Sequence, residues 1–217
     1  MTTFPAHSGR FESLTAQTSL DFPEYAAPPS EPMELVQRWI TDAVEARARE
    51  PRSLALATAT TQGRASNRIV TFAELSPRGL VFTTHTSSRK ARDLAATGWA
   101  SALFYWREIG RQLALSGPVT ELPDEESEAL WAARPVPLHA MSVASRQSEP
   151  LSASAALRAE ADHLAARGVA LLRPDRFVGY LLVPDEVEFW SADPDRLHRR
   201  LRYGCDATGW RTDRLQP

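Results

Sequence analysis

Apolar residues at Leu35, Val36, Trp39, Ile40 and Ala43 recur on one helical face, and Ser30 with Pro32 supplies a capped start, so a helix is predicted that ends near Pro51. The rhythm then changes to alternation. Leu54, Leu56 and Thr58, a turn at Gln62-Gly63, and an extended run from Ser66 to Phe72 predict a β-hairpin. A second turn at Ser76 to Gly79 leads into a strand from Leu80 to Thr84, and Trp99 to Trp106 and Gln112 to Ser116 add two more. Between them Ser88 to Ala96 reads as a short helix capped by Ser87 or Ser88 and stopped by Gly98. Pro123 to Glu126 begin a helix running through Ala133, and Ala153 to Arg167 form another, ended by Gly168. Strands at Phe177 to Val183, Glu186 to Trp190 and Trp210 to Leu215 complete the set. Short strands joined by hairpins, with helices inserted rather than alternating, predict an α+β fold built on a mostly antiparallel β-barrel.

Residues 1–30 carry Ser, Thr, Pro and Ala without apolar periodicity, and are expected to be an arm that is flexible or docked on a partner, ahead of one domain over 31–217. Phe22 and Tyr25 stand out in it as candidates for docking or for simple exposure. A length of 217 residues suits one domain with a sizeable core. The formal net charge of -2 offers no broad basic surface, so nucleic acid is not an expected partner. The first twenty residues lack the pattern of a secretory signal, and the apolar runs fall well short of the ~20 residues a spanning helix needs. The lone Cys205 excludes an internal disulfide and has no neighbour at metal-ligand spacing. A cytoplasmic protein without membrane segments or a metal is expected.

Three clusters could carry chemistry. Arg68-Ile69-Val70-Thr71 and Ser87-Ser88-Arg89-Lys90 bring cations to a strand and to a helix start, where free backbone N–H groups add to them; this suits a phosphate, and equally a solvated basic helix end. Ser145 to Glu149 pack hydroxyls, an amide and a guanidinium into five residues, as a cofactor site or an ordinary polar loop would. Trp190, followed after a turn-rich loop by Arg196, His198, Arg199 and Arg200, could meet a flat anion or form a solvated face. The five histidines are scattered, and no Gly-rich phosphate loop, nucleophile elbow or zinc helix occurs.

Taken in order, Arg68-Ile69-Val70, Gly79 to Phe82, Ser88 to Ala91, Arg111-Gln112, Ser145 to Ser148, Glu188 to Trp190, Arg196 to His198 and Asp213 to Leu215 resemble the pyridoxamine 5′-phosphate oxidase family. The resemblance runs from about Pro32 to Pro217. It implies a split β-barrel that dimerises around two FMN sites. On these positions it assigns Arg68, Arg89 and Lys90 to the FMN phosphate and ribityl tail, and Ile69, Val70, Thr71, Thr83 and Thr84 to contacts along the flavin. Gln112, Gln147 and Ser148 would come from the two subunits sharing a site, with Trp190 and Arg200 closing it.

The substrate positions depart from the vitamin-B6 enzymes, in which a Lys, a Tyr, an Arg and a Ser grip a phosphate. Here they read Ala73, Leu130, Arg134 and Leu138. With charge-assisted bonds worth ~1.5–3 kcal/mol and neutral ones ~1, the three lost partners remove roughly 3–5 kcal/mol, or about two to four powers of ten in affinity. A branch of the family that serves phenazine biosynthesis is more similar, through Phe22 to Tyr25, Tyr105 to Glu108, His139, Met141-Ser142, Ser145 to Glu149 and Leu201 to Trp210. That resemblance implies an FMN-dependent oxidase that aromatises reduced, dihydro or tetrahydro, phenazine carboxylates, with O2 as acceptor giving H2O2. Ala73, Leu130 and Leu138 would widen the pocket, while Arg134, Arg196 and His198 meet carboxylates. Arg196 and His198 would mainly orient substrate, with His198 available as proton acceptor. The alternatives are a pyridoxine/pyridoxamine 5′-phosphate oxidase, a non-catalytic FMN-binding split barrel, and a deazaflavin- or NAD(P)H-linked reductase.

Overall fold

A computed structural model describes residues 20–217. Helix α1 (Met33–Glu45) buries Leu35, Val36, Trp39, Ile40 and Ala43, the stripe its spacing marked, but begins after Pro32 without a side-chain cap. It lies against a sheet made of β1 (Ser53–Ala59), β2 (Ala65–Thr71), β3 (Glu74–Ser76), β4 (Gly79–His85), β5 (Trp99–Trp106), β6 (Arg111–Glu121), β7 (Phe177–Leu182), β8 (Glu186–Ser191), β9 (Arg199–Asp206) and β10 (Gly209–Leu215). Every ladder is antiparallel, and the strand order is β10-β9-β8-β6-β5-β1-β2, with β3, β4 and β7 branching from β6. The long β6 makes the branch by pairing with β8 through Ser116 and with β7 from Val119 onward. Gly117 sits at that switch because a Cβ there would strike the Val183 carbonyl.

Helices α2 (Arg89–Thr97), α3 (Asp124–Ala132), α4 (His139–Ala144) and α5 (Ser154–Ala165) lie outside the sheet. Ser88 caps α2 by accepting from Ala91 N–H at 3.2 Å, and Gly98 closes it with a left-handed φ of 64°. Both follow the sequence reading. The core joins Trp39, Phe104, Trp106, Phe189 and Tyr203 to Leu54, Leu56, Leu113 and Leu115. Large side chains buried this fully contribute about 1.5–3 kcal/mol each before entropy is counted.

Two elements differ from expectation. Arg199–Asp206 is a strand that the sequence pattern does not predict, its arginines there suggesting either a site for a flat anion or a solvated face; Leu201 and Tyr203 point into the core while Arg200 and Arg202 lie on the opposite face. The paired arginines mask an ordinary alternation. Residues 20–30 of the expected arm pack on the chain's own barrel, with Phe22 buried edge-on against Trp39 at 4.9 Å. Arg214 donates to the carbonyls of Tyr25 and Ala26, and Tyr203 donates to that of Pro29. The remainder of the arm, 1–19, lies outside the described residues. Among those described, no helix is long and apolar enough to cross a membrane.

The register also fixes the outward face. Ile69, Ala55, Leu103, Ala114 and Glu188 are successive partners across β2, β1, β5, β6 and β8. With exposed Ile69, Leu103, Tyr105 and Trp99 beside small alanines, this is an apolar sheet face turned away from the core.

Candidate active site

A cavity of about 1040 Å³ opens between β2, the start of α2, the α3–α4 connection and the Gln147-Ser148 segment. It is lined by Arg68, Ile69, Val70, Thr71, Thr83, Thr84, Arg89, Lys90, Gln147 and Ser148, and by the substrate-side Ala73, Leu130, Arg134 and Leu138. Its cationic end is built from inside. Arg68 donates to Leu56 C=O at 3.1 Å and to the hydroxyls of Thr58 at 2.8 Å and Ser66 at 2.6 Å. Both hydroxyls donate onward to the buried Asp93 carboxylate, at 2.7 and 3.2 Å. Burial lowers the Arg68 pKa, Asp93 opposes that, and Arg89 adds to it.

Lys90 is almost fully buried and donates to Thr84 Oγ1 at 3.0 Å and Gln147 Oε1 at 3.2 Å. Burial first, and then the Arg68 charge, pull its pKa down to about 8. The Arg89 N–H, free at the helix start, donates to Ser148 Oγ at 3.2 Å, and Ser148 takes a left-handed φ of 70° to reach it. Gln147 N–H meets His85 Nδ1 at 3.4 Å. Burial, followed by Arg176, Lys90 and Arg134, holds His85 down near about 4, so it is neutral at ordinary pH.

The other end is largely apolar, with the guanidiniums of Arg52 and Arg134 at its wall. Ala73 and Leu130 pack on Val81, Leu122 and Leu181, and Leu138 is exposed to the cavity. Arg134 projects over the Phe177 ring, its Cζ 5.6 Å from the centroid. Its Nε is buried with no hydrogen-bond partner, and the side chain's one hydrogen bond is a long one, 3.4 Å, to Ser142 Oγ, both among the described residues. Burial lowers its pKa. A guanidinium so placed is short of an anion.

Gln112, Trp190 and Arg200 do not join this cavity. They line a second hollow of about 360 Å³ on the outward sheet face, with Leu103, Ala114, Glu188 and Pro217. Arg196 and His198 line neither. They sit on the turn before β9, where Arg196 is exposed with φ 66° and His198 packs on Trp190 at 4.7 Å. His198 Nδ1 accepts from Asp193 N–H at 3.1 Å, which puts the neutral ring's proton on Nε2. In that neutral form Nε2–H is the ring's remaining donor.

Several supporting residues escaped the sequence reading. Asp93 stands behind Arg68, Glu188 behind Arg200, and Arg52 reaches the cavity wall by donating to Ala73 C=O at 2.8 Å. Asp93 alone left a signal, since its spacing from Arg89 and Lys90 keeps all three on neighbouring faces of α2.

Residues 40–168 match the family model described as pyridoxamine 5′-phosphate oxidase, and residues 177–217 match the pyridoxine 5′-phosphate oxidase C-terminal dimerisation region. The chain is 55% identical over 211 residues to a dihydrophenazinedicarboxylate synthase of Burkholderia lata, covering 97% of this chain and 100% of that one. It is 42% identical over 188 residues to a pyridoxine/pyridoxamine 5′-phosphate oxidase of Paraburkholderia phymatum, covering 86% and 89%. Among solved structures it is similar to PhzG from Burkholderia lata in complex with tetrahydrophenazine-1-carboxylic acid, with TM-score 0.89, 56% identity, and 91% and 98% of the two chains covered. A pyridoxamine 5′-phosphate oxidase-related, FMN binding protein from Nostoc punctiforme shares the fold at TM-score 0.67 and 19% identity, with 90% and 98% covered.

Proposed function

The chain belongs to the pyridoxamine 5′-phosphate oxidase family, and on that premise we propose that it is an FMN-dependent oxidase that aromatises reduced phenazine carboxylic acids as a homodimer. The observation that carries the substrate reading is Arg134, a guanidinium at the apolar end of the cavity whose buried Nε lacks a partner among the described residues, whereas Arg52 at that end is committed to the Phe72 and Ala73 carbonyls. Three of the four positions that grip a phosphate in the vitamin-B6 enzymes are the hydrocarbons Ala73, Leu130 and Leu138. A flat tricycle bearing a carboxylate satisfies both features: its rings fill the apolar walls and its anion meets the guanidinium.

The opposite end fits the phosphate of FMN. Arg68, Arg89 and Lys90 converge there at the positive end of α2, and Lys90, lowered first by burial and then by the Arg68 charge, is a cation that a neighbouring anion would stabilise. Ile69, Val70, Thr71, Thr83 and Thr84 would run along the flavin, with Gln147 and Ser148 at its phosphate end. When bound, FMN supplies a two-electron acceptor, with dioxygen reduced to hydrogen peroxide as the final sink. A protomer carries Gln112, Trp190 and Arg200 in a separate hollow on its apolar outer face. A second copy docked on that face would bring those three residues, with Arg196 and the Nε2–H of His198, to the open cavity. Arg196 and His198 then orient the substrate, and gain of aromaticity reduces the need for a protein base. We place the reaction in the cytoplasm.

The purified protein should release a yellow cofactor identified as FMN. Under anaerobic conditions a reduced phenazine carboxylate should bleach it quickly and pyridoxamine 5′-phosphate slowly. A colourless dimer that refuses added FMN, or the reverse substrate order, would refute the assignment.

A further inference from the structure

Arg134 follows α3 at its C-terminal end, where helix carbonyls lack partners; Pro137, three residues on, has no N–H to give, and the Leu138 N–H goes to the Pro135 carbonyl. The Arg134 carbonyl is instead met at 3.0 Å by Nε2 of His139, the first residue of α4. The other ring nitrogen, Nδ1, accepts from Leu171 N–H at 3.2 Å. An accepting Nδ1 leaves the neutral ring's proton on Nε2, the arrangement that donation to Arg134 requires. The ring, 1% exposed, stacks on Trp131 at 4.1 Å and 28°. Trp131 donates to Leu171 C=O at 2.7 Å and packs edge-on against Phe177 at 4.9 Å, and Phe177 is the ring beneath the Arg134 guanidinium. One buried histidine therefore fixes both ends of Arg134: the backbone through a hydrogen bond, and the platform of the side chain through two aromatic contacts.

From this we infer that His139 is a positioning residue for substrate selectivity, holding Arg134 so that the site prefers a carboxylated tricycle to an uncharged one. The inference rests on the proposed role of Arg134 as the carboxylate anchor. His139 lies behind Trp131 and outside the cavity lining, away from the space proposed for substrate and FMN. A leucine would fill its volume and make neither hydrogen bond, whereas glutamine can accept from Leu171 and donate to Arg134 with one amide.

The test uses the FMN-loaded dimer and two oxidised probes, phenazine-1-carboxylate and phenazine, with dissociation constants read from the flavin spectrum. His139→Leu should weaken phenazine-1-carboxylate by about tenfold or more, which is ~1.4 kcal/mol. It should leave phenazine and FMN affinity within about twofold, while His139→Gln restores the preference. With reduced substrate the loss should appear in KM rather than kcat. If His139→Leu does not accumulate as folded dimer, His139→Asn, too short to span both partners, carries the same expectation. Equal weakening of both probes, loss of FMN, or an unchanged preference overturns the inference. Absence of any carboxylate preference in the unaltered protein fails the Arg134 reading itself. Loss of preference in Arg134→Met, with none in His139→Leu, fails only the role given to His139.

Discussion

Glu188 holds Arg200 through both carboxylate oxygens, at 2.7 Å from Nε and 3.0 Å from the terminal Nη2, across neighbouring strands of the outer sheet face. That bidentate pair raises the Arg200 pKa, the Glu188 hydrogen bond being the larger cause. It also aims the guanidinium into the hollow shared with Gln112 and Trp190 while cancelling much of its charge. If Arg200 closes the flavin site of a second copy, Glu188 governs how much positive charge the flavin feels. Glu188→Gln should therefore raise the flavin midpoint potential by about 30 mV, the two-electron equivalent of ~1.4 kcal/mol. Dye equilibration on the loaded enzyme would measure it, and an unchanged or lowered potential would count against Arg200 facing the flavin.

Arg134→Met keeps length and apolar character but removes the charge at the hydrocarbon end of the cavity. A charge-assisted bond of ~1.5–3 kcal/mol corresponds to about one to two powers of ten, expected in KM for the reduced carboxylate with kcat nearly unchanged. FMN content should not move, because the cations of the phosphate end, Arg68, Arg89 and Lys90, are different residues. Steady-state kinetics beside the flavin-to-protein ratio separates the two.

Arg196→Ala should likewise spare the cofactor. Arg196 is exposed on the turn that His198 braces through Asp193 N–H, and its N–H is bound to Asp193 C=O at 2.9 Å, so truncating the side chain leaves the turn's backbone bonds in place. Substrate binding should weaken about tenfold, near the lower end for one exposed charge-assisted bond. Loss of flavin on that substitution would move Arg196 out of the substrate role.

The site was legible where its chemistry is local. Ser88, Arg89 and Lys90 announce a capped helix start with cations on it, and that helix forms as read. Ala73, Leu130 and Leu138 are visible as missing polar groups, although only folding shows them beside Arg134. Contacts set by strand pairing left little trace. Ser66 and Asp93 lie 27 residues apart, and only the β1–β2 hairpin over α2 makes Asp93 the support of Arg68. Strand β9 was hidden because Arg199 and Arg200 read with Arg196 as a charge run, while the two residues that define its buried face, Leu201 and Tyr203, follow them on either side of Arg202. Phe22 is a single aromatic in a polar stretch, and no periodicity distinguishes a core anchor there from an exposed ring. The division of the expected site residues between two cavities was also invisible, because spacing along one chain does not say which face of a sheet meets a second copy.

Lys90 gives the cofactor site a pH dependence whose sign follows from its environment. Burial and the Arg68 charge lower its pKa from 10.5 to about 8, so between those values the cofactor-free folded state has released a proton that the unfolded chain still binds. This group's contribution to stability is thus unfavourable below about pH 8 and is relieved as pH rises toward 10.5. A phosphate dianion beside the amine favours the protonated form, so FMN binding takes up a proton in the same window. FMN affinity should hold steady below about pH 8 and fall as pH rises above it, with up to about tenfold loss per pH unit if Lys90 alone titrates. Lys90→Met should weaken FMN by about one to two powers of ten at neutral pH and flatten that dependence. Fluorescence titration of FMN from pH 6 to about 10 on both proteins tests the pair of expectations; a slope that survives in Lys90→Met would assign the proton to another group.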